Sequence, residues 1–152
     1  MDNPNKIMVP ILGASDEAIK AASDCLGVSF PDQLKEIWAI SNGLELAGGW
    51  IMFPVFDKAN PRKTSNHIVY ANTKGRWQYM PEDLVSIASN ETGNQLVLEK
   101  VENELMPEVF VWYHESNRIK KWGKGLDYIK DRAFARVSKI NAKVQKGVNR
   151  KS

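Results

Sequence analysis

Residues 84–101 read LVSIASNETGNQLVLEKV. Two apolar runs, Leu84 to Ala88 and Gln95 to Val101, flank a knot of polar residues from Asn90 to Gln95. Each run has the length of a strand. The Gly93-Asn94 pair in a short polar link supplies the positive φ that a hairpin turn requires. The stretch is read as a hairpin. In a second reading, Glu91, Asn94 and Gln95 on its turn also form part of a partner-facing rim.

Further strands are expected on both sides of the hairpin. They are GWIMFPVF (49–56), HIVYA (67–71), EVFVWYH (108–114) and RIKKW (118–122), the last pairing back across His114 to Asn117. Val109 to Tyr113 is apolar on both faces, as in a central strand covered on each side. Helices bracket this region. Ser15 can cap a first helix, with Asp16 and Glu17 in its first turn and Gly27 as its stop. Its apolar stripe is Ala18, Ile19, Ala22, Cys25 and Leu26, which places Cys25 in the core. In SFPDQLKEIWAISNG (29–43), Pro31 suits a first helical position, and Leu34, Ile37, Trp38 and Ser41 share one face. A long last helix carries Leu126, Ile129, Ala133, Val137, Ile140 and Val144 at spacings of three or four. Arg132, Arg136, Lys139, Lys143, Lys146 and Arg150 form a basic face beside that stripe.

A chain of 152 residues with 43% hydrophobic residues fits one domain, 1–152, with a core of about 15–135 and a basic helical extension over 136–152. No stretch approaches the roughly 18 apolar residues of a membrane span, and no secretion signal is expected at the N-terminus. The single Cys25 precludes an internal disulfide, and a cytoplasmic setting fits that count. The net charge of +3 conceals an asymmetry. Residues 1–117 hold 9 Lys and Arg against 16 Asp and Glu, and residues 118–152 hold 12 against 2. An acidic body therefore carries a basic tail, and each can attract a partner of opposite sign.

Three stretches resemble signatures of the SMI1/KNR4, or SUKH, family. LGVSFPDQLKEIWAISNGLEL resembles its opening, MPEDLVSIASNETGNQLVLE its middle motif, and PEVFVWYHESNRIKKWGKGLDYI its end. The resemblance implies an α+β fold, a mostly antiparallel central sheet flanked by N-terminal helices and a long C-terminal helix. It also implies a binding module without catalytic triad, metal or cofactor. Bacterial members of the family are mostly immunity proteins that neutralise a toxin, often a nuclease; fungal members act as regulators and scaffolds. Asn94 stands where Asp is frequent in the family, and the chain continues past the usual closing helix from about Val137.

Other chemistry is weakly signalled. His114 beside Glu115 could do acid–base work, but no nucleophile accompanies the pair in sequence, and two His and one Cys would need carboxylates to complete a zinc site. WGKGLDY (122–128) has a G-x-G before a helix yet lacks the remainder of a phosphate loop, so it reads as a connector. Trp38 and Trp112 read as core; Trp50 and Trp77 lie near loops. The expectation is a non-enzymatic protein that occludes a cognate toxin's active cleft. Glu45, Asp57, Glu91 and Glu115 would face a basic toxin, with Trp77, Asn94, Gln95 and His114 beside them. The alternative is a regulator that contacts nucleic acid or an anionic membrane through the basic helix.

Overall fold

The computed structural model describes residues 13–150, with side chains described as far as 145. Among these residues the order is α1 (Asp16–Leu26), α2 (Asp32–Ile40), β1 (Glu45–Leu46), β2 (Trp50–Met52), α3 (Ile68–Ala71), β3 (Leu84–Ser89), β4 (Gln95–Val101), β5 (Glu104–Tyr113), β6 (Arg118–Lys121) and α4 (Leu126–Arg150). Lys146 and Arg150 belong to the helix, but their side chains lie outside the described residues.

The six strands form one sheet in the order β1-β2-β3-β4-β5-β6, every neighbour antiparallel. This is the α+β architecture expected from the sequence. The hairpin of residues 84–101 is its centre, with Val85 opposite Leu98 and Ser86 opposite Val97. The helix ends follow from local chemistry. Ser15 accepts the Ala18 N–H at 3.1 Å, and Gly27 adopts φ 66 where a left-handed residue closes the helix. Pro31 stands one residue before α2 and caps it through its carbonyl, which accepts from Leu34 and Lys35.

One face of the sheet packs against the helices. Ile87, Leu96, Leu98, Val109 and Val111 meet Ile19 and Ala22 of α1, Leu34, Ile37 and Trp38 of α2, and Leu126, Ile129 and Ala133 of α4. The Trp38 indole is buried and donates to the Phe53 carbonyl at 2.9 Å, which satisfies both groups. The opposite face is covered only in part. There Leu84, Val97 and Trp112 lie beneath Met80, with Trp77 and Phe110 half-buried around them.

Three expectations are corrected. HIVYA forms the one-turn helix α3, not a strand. β2 pairs directly with β3, so the sheet has no place between them for the segment that connects them. His67 Nδ1 caps the turn on the Tyr70 N–H, and the Asn72 carboxamide bridges it to both backbone groups of Ser86. The strand expected over 49–56 shrinks to Trp50–Met52. Pro54 lacks an N–H, and both Val55 backbone groups turn to the Asn42 side chain at 2.9 and 3.0 Å. Cys25 is exposed, not in the core. The α1 stripe is buried at Ile19 and Ala22, but Cys25 lies beyond the edge of the contact, beside a shallow recess lined by Phe56, His67 and Val69.

Candidate functional site

The turn between β3 and β4 is held by one side chain. The Asn90 carboxamide oxygen accepts from the Thr92 N–H, the Thr92 hydroxyl and the Asn94 N–H at 3.2, 2.8 and 3.0 Å. Gly93 follows at φ 90, a conformation that disfavours a side chain. Asn94 then reaches the next hairpin, its oxygen accepting from the His114 N–H at 3.3 Å. Gln95 is buried and donates to the Gly93 carbonyl at 2.9 Å. Asn94 and Gln95 thus point inward and brace the turn, while Glu91 is exposed at its tip.

His114 joins the two hairpins. Its ring stacks on Trp77 with centroids 4.4 Å apart and planes 20° from parallel. Its Nε2 faces the Thr92 carbonyl, which can only accept, so Nε2 carries the proton. Its carbonyl accepts from the Tyr79 hydroxyl at 2.7 Å. The imidazole is therefore packed and hydrogen-bonded as a structural linker. Among the described residues no hydroxyl or thiol bonds to the ring, and no three His, Cys, Asp or Glu gather as a metal site. Glu115 is exposed beside it.

Trp77 and Tyr79 reach the sheet because Arg76 shapes their loop. Its guanidinium donates to the carbonyls of Leu84 at 2.8 Å, Met80 at 3.4 Å and Pro81. Burial holds the Arg76 pKa below its ordinary value, against the smaller opposing pull of Glu82 and Asp83. Trp77 and Tyr79 then roof the buried Trp112, at centroid distances of 6.3 and 5.8 Å. The Trp112 indole donates to Asn117 at 2.6 Å. Along the same face Phe110 is half-buried, and Ile119, opposite Trp112, is 44% exposed. Tyr79 is 52% exposed. Tyr79, Phe110 and Ile119 form an apolar strip on a rigid platform. Glu91 and Glu115 stand at the hairpin end of that platform. Glu99 and the Lys121–Glu108 pair (3.0 Å) stand toward the other end.

The structure thus brings Trp77, Glu91, Asn94, Gln95, His114 and Glu115 to one end of the sheet. It does not bring Glu45 or Asp57 there. Asp57 caps its own loop, its carboxylate accepting from the Ala59 N–H and the Asn60 amide at 3.0 and 3.1 Å. Glu45 is exposed on β1 and lines a recess of about 280 Å³ with Lys63 and Arg136. A recess of about 570 Å³ between α1 and α2 is lined by Lys20, Lys35 and Asp32, whose charges are spent within their own helices in the pairs Lys20–Asp24 and Lys35–Asp32. Sequence reasoning missed Tyr79, Phe110 and Ile119. The alternation of Phe110 and Trp112 with Val109 and Val111 signals a second apolar face, but not that this face is left partly open.

On the basic face the cations differ. Arg136 donates to the buried Ser41 hydroxyl at 2.6 Å and to the Gly43 carbonyl at 3.1 Å, so it ties α4 to the body. Lys130 pairs with Glu36, and that hydrogen bond holds its pKa up. Arg132 lies over the Tyr128 ring at 5.9 Å, and Lys139 and Lys143 are exposed without an ion pair among the described residues.

These features define an α+β domain with helices on one face of a single antiparallel sheet and the other face open at β5 and β6. The chain belongs to the SMI1 / KNR4 family (SUKH-1), whose family model matches residues 13–130. No match was found among curated proteins or solved structures. No described helix is long and apolar enough to cross a membrane.

Proposed function

We propose that this protein is a non-enzymatic immunity protein that neutralises a protein toxin by covering its active cleft. Family membership supports a role of this kind. The observation that carries the reading is the exposed strip of Tyr79, Phe110 and Ile119 on a platform braced by the Trp77–His114 stack. Aromatic and aliphatic groups held in fixed positions serve as interface anchors, because little side-chain freedom is lost when they bind. Glu91, Glu99 and Glu115 around the strip favour a basic partner and speed its approach.

The test is capture of the partner from the source cells, followed by expression of that partner alone and together with this protein. The expected partner stops growth when expressed alone and is tolerated with the wild-type chain. Ile119→Asp, at an exposed position of the edge strand, should abolish protection while leaving the folded state intact by circular dichroism. Full protection by that variant, or a captured partner without toxicity, refutes the reading.

A further inference from the structure

We infer that the surface formed by β6 and α4 is a binding site for the phosphate backbone of nucleic acid, separate from the open sheet face. At 3.6 residues per turn, Tyr128, Arg132, Lys139 and Lys143 fall within about 60° on one side of α4, a ridge about 22 Å long. Lys124 sits over the Tyr128 ring at 4.0 Å and extends the ridge toward β6. Arg118 and Lys120 lie directly opposite Tyr113 and Val111, which pack in the core with Ile129 of α4. These two cations therefore project on the side of the sheet where α4 lies. None of Arg118, Lys120, Lys124, Arg132, Lys139 or Lys143 has a carboxylate partner among the described residues.

The composition of the surface selects the occupant. Tyr128 is flanked by Trp122, Lys124 and Arg132, so its ring is engaged within the chain. The exposed Phe134 lies about 150° around the helix from the ridge, and the half-buried Val137, Ile140 and Val144 lie about 90–150° away on the other flank, so no apolar group stands among these cations to enter a membrane with them. Asp127 and Asp131 also lie on the far flank, about 90° or more away. The ridge has no aromatic anchor of the kind that dominates protein interfaces. A row of point charges without such an anchor matches a polymer of regularly spaced phosphates, bound without sequence preference.

The test uses fluorescently labelled 20-base-pair duplexes of DNA and of RNA, with anisotropy measured between 50 and 200 mM salt. Engagement of four of the six cations gives a log–log slope of about −3.6, an affinity loss of about 150-fold over that range. Lys139→Gln with Lys143→Gln should reduce the loss to about 12-fold, while Lys58→Gln with Lys63→Gln, in the loop after β2, should leave it unchanged. Binding of either duplex with this behaviour supports the site. A Kd above about 100 µM for both duplexes at 50 mM salt, equal effects of the two double variants, or binding only to phosphatidylserine vesicles overturns it. Circular dichroism of each variant distinguishes lost binding from lost folding, and growth protection reports separately on the sheet face.

Discussion

Alanine at Gly93 introduces one methyl group at the point where the two hairpins and the Trp77 loop meet. Its Cβ would lie 2.9 Å from Trp77 Cζ2 and 3.1 Å from His114 Nε2. These atoms belong to two stacked rings that cannot turn aside independently, so overpacking of about 1–3 kcal/mol is expected. The backbone at φ 90 adds about 1–2 kcal/mol for a non-glycine residue. Restricting the unfolded chain returns about 0.4–1 kcal/mol. The expected net loss is about 3 kcal/mol, a fall in Tm of about 6–12 °C for a chain of this size. Gly27→Ala is the matched control. Its φ is 66, but nothing lies within 4 Å of the added Cβ, so only the backbone cost applies, leaving about 1 kcal/mol. Urea unfolding of both variants, followed by far-ultraviolet circular dichroism, measures the difference. A loss at Gly93 no greater than that at Gly27 would refute the view that the Trp77–His114 stack is a rigid brace.

Three further outcomes follow from named contacts. Burial lowers the His67 pKa, so the folded state favours neutral imidazole; its contribution is present above the unfolded value near 6.5 and falls away as pH drops below it. His67→Asn keeps a capping side chain, and the difference between its urea midpoint and the wild type's should change sign-consistently between pH 7.5 and 5.5, with wild type losing more. Arg76→Met strands the carbonyls of Leu84 and Met80, and hydrogen exchange over residues 76–84 should accelerate about 10-fold or more while that of α2 stays slow. Arg136→Ala should cost about 1–2 kcal/mol by unfolding, because the buried Ser41 hydroxyl loses its partner, yet leave duplex binding within about twofold.

Much of the fold is legible in the sequence because it is fixed locally. β4 begins at Gln95 and ends at Val101, the bounds of its apolar run, and Ser15 and Gly27 mark the two ends of α1. HIVYA has the composition of a strand, but its state is set by Asn72 gripping Ser86 fourteen residues away, an interaction that no local propensity contains. The same limit applies to the site. Trp77 and His114 are each conspicuous, yet 37 residues separate them, and their stacking emerges only when Arg76 folds the intervening loop. Arg136 reads as one cation among several on a helical face. Its difference from Lys139 lies in Ser41 and Gly43, 95 and 93 residues away.

The sheet is a meander in which every strand lies beside its neighbour in sequence. The links β1–β2, β3–β4, β4–β5 and β5–β6 can close early, because short loops lose little chain entropy, whereas residues 53–83, with α3 among them, join β2 to β3. The apolar face of α2 has a different history. Leu34, Ile37 and Trp38 precede Ile129 and Ala133 by about ninety residues, and α4 supplies much of the cover on that side. During synthesis this face is expected to stay uncovered until α4 has left the ribosome, so completion of α4 acts as the latch of the domain. A pause in translation before residue 126 would then hold the chain in an adhesive state, and a chaperone would find its substrate on α2.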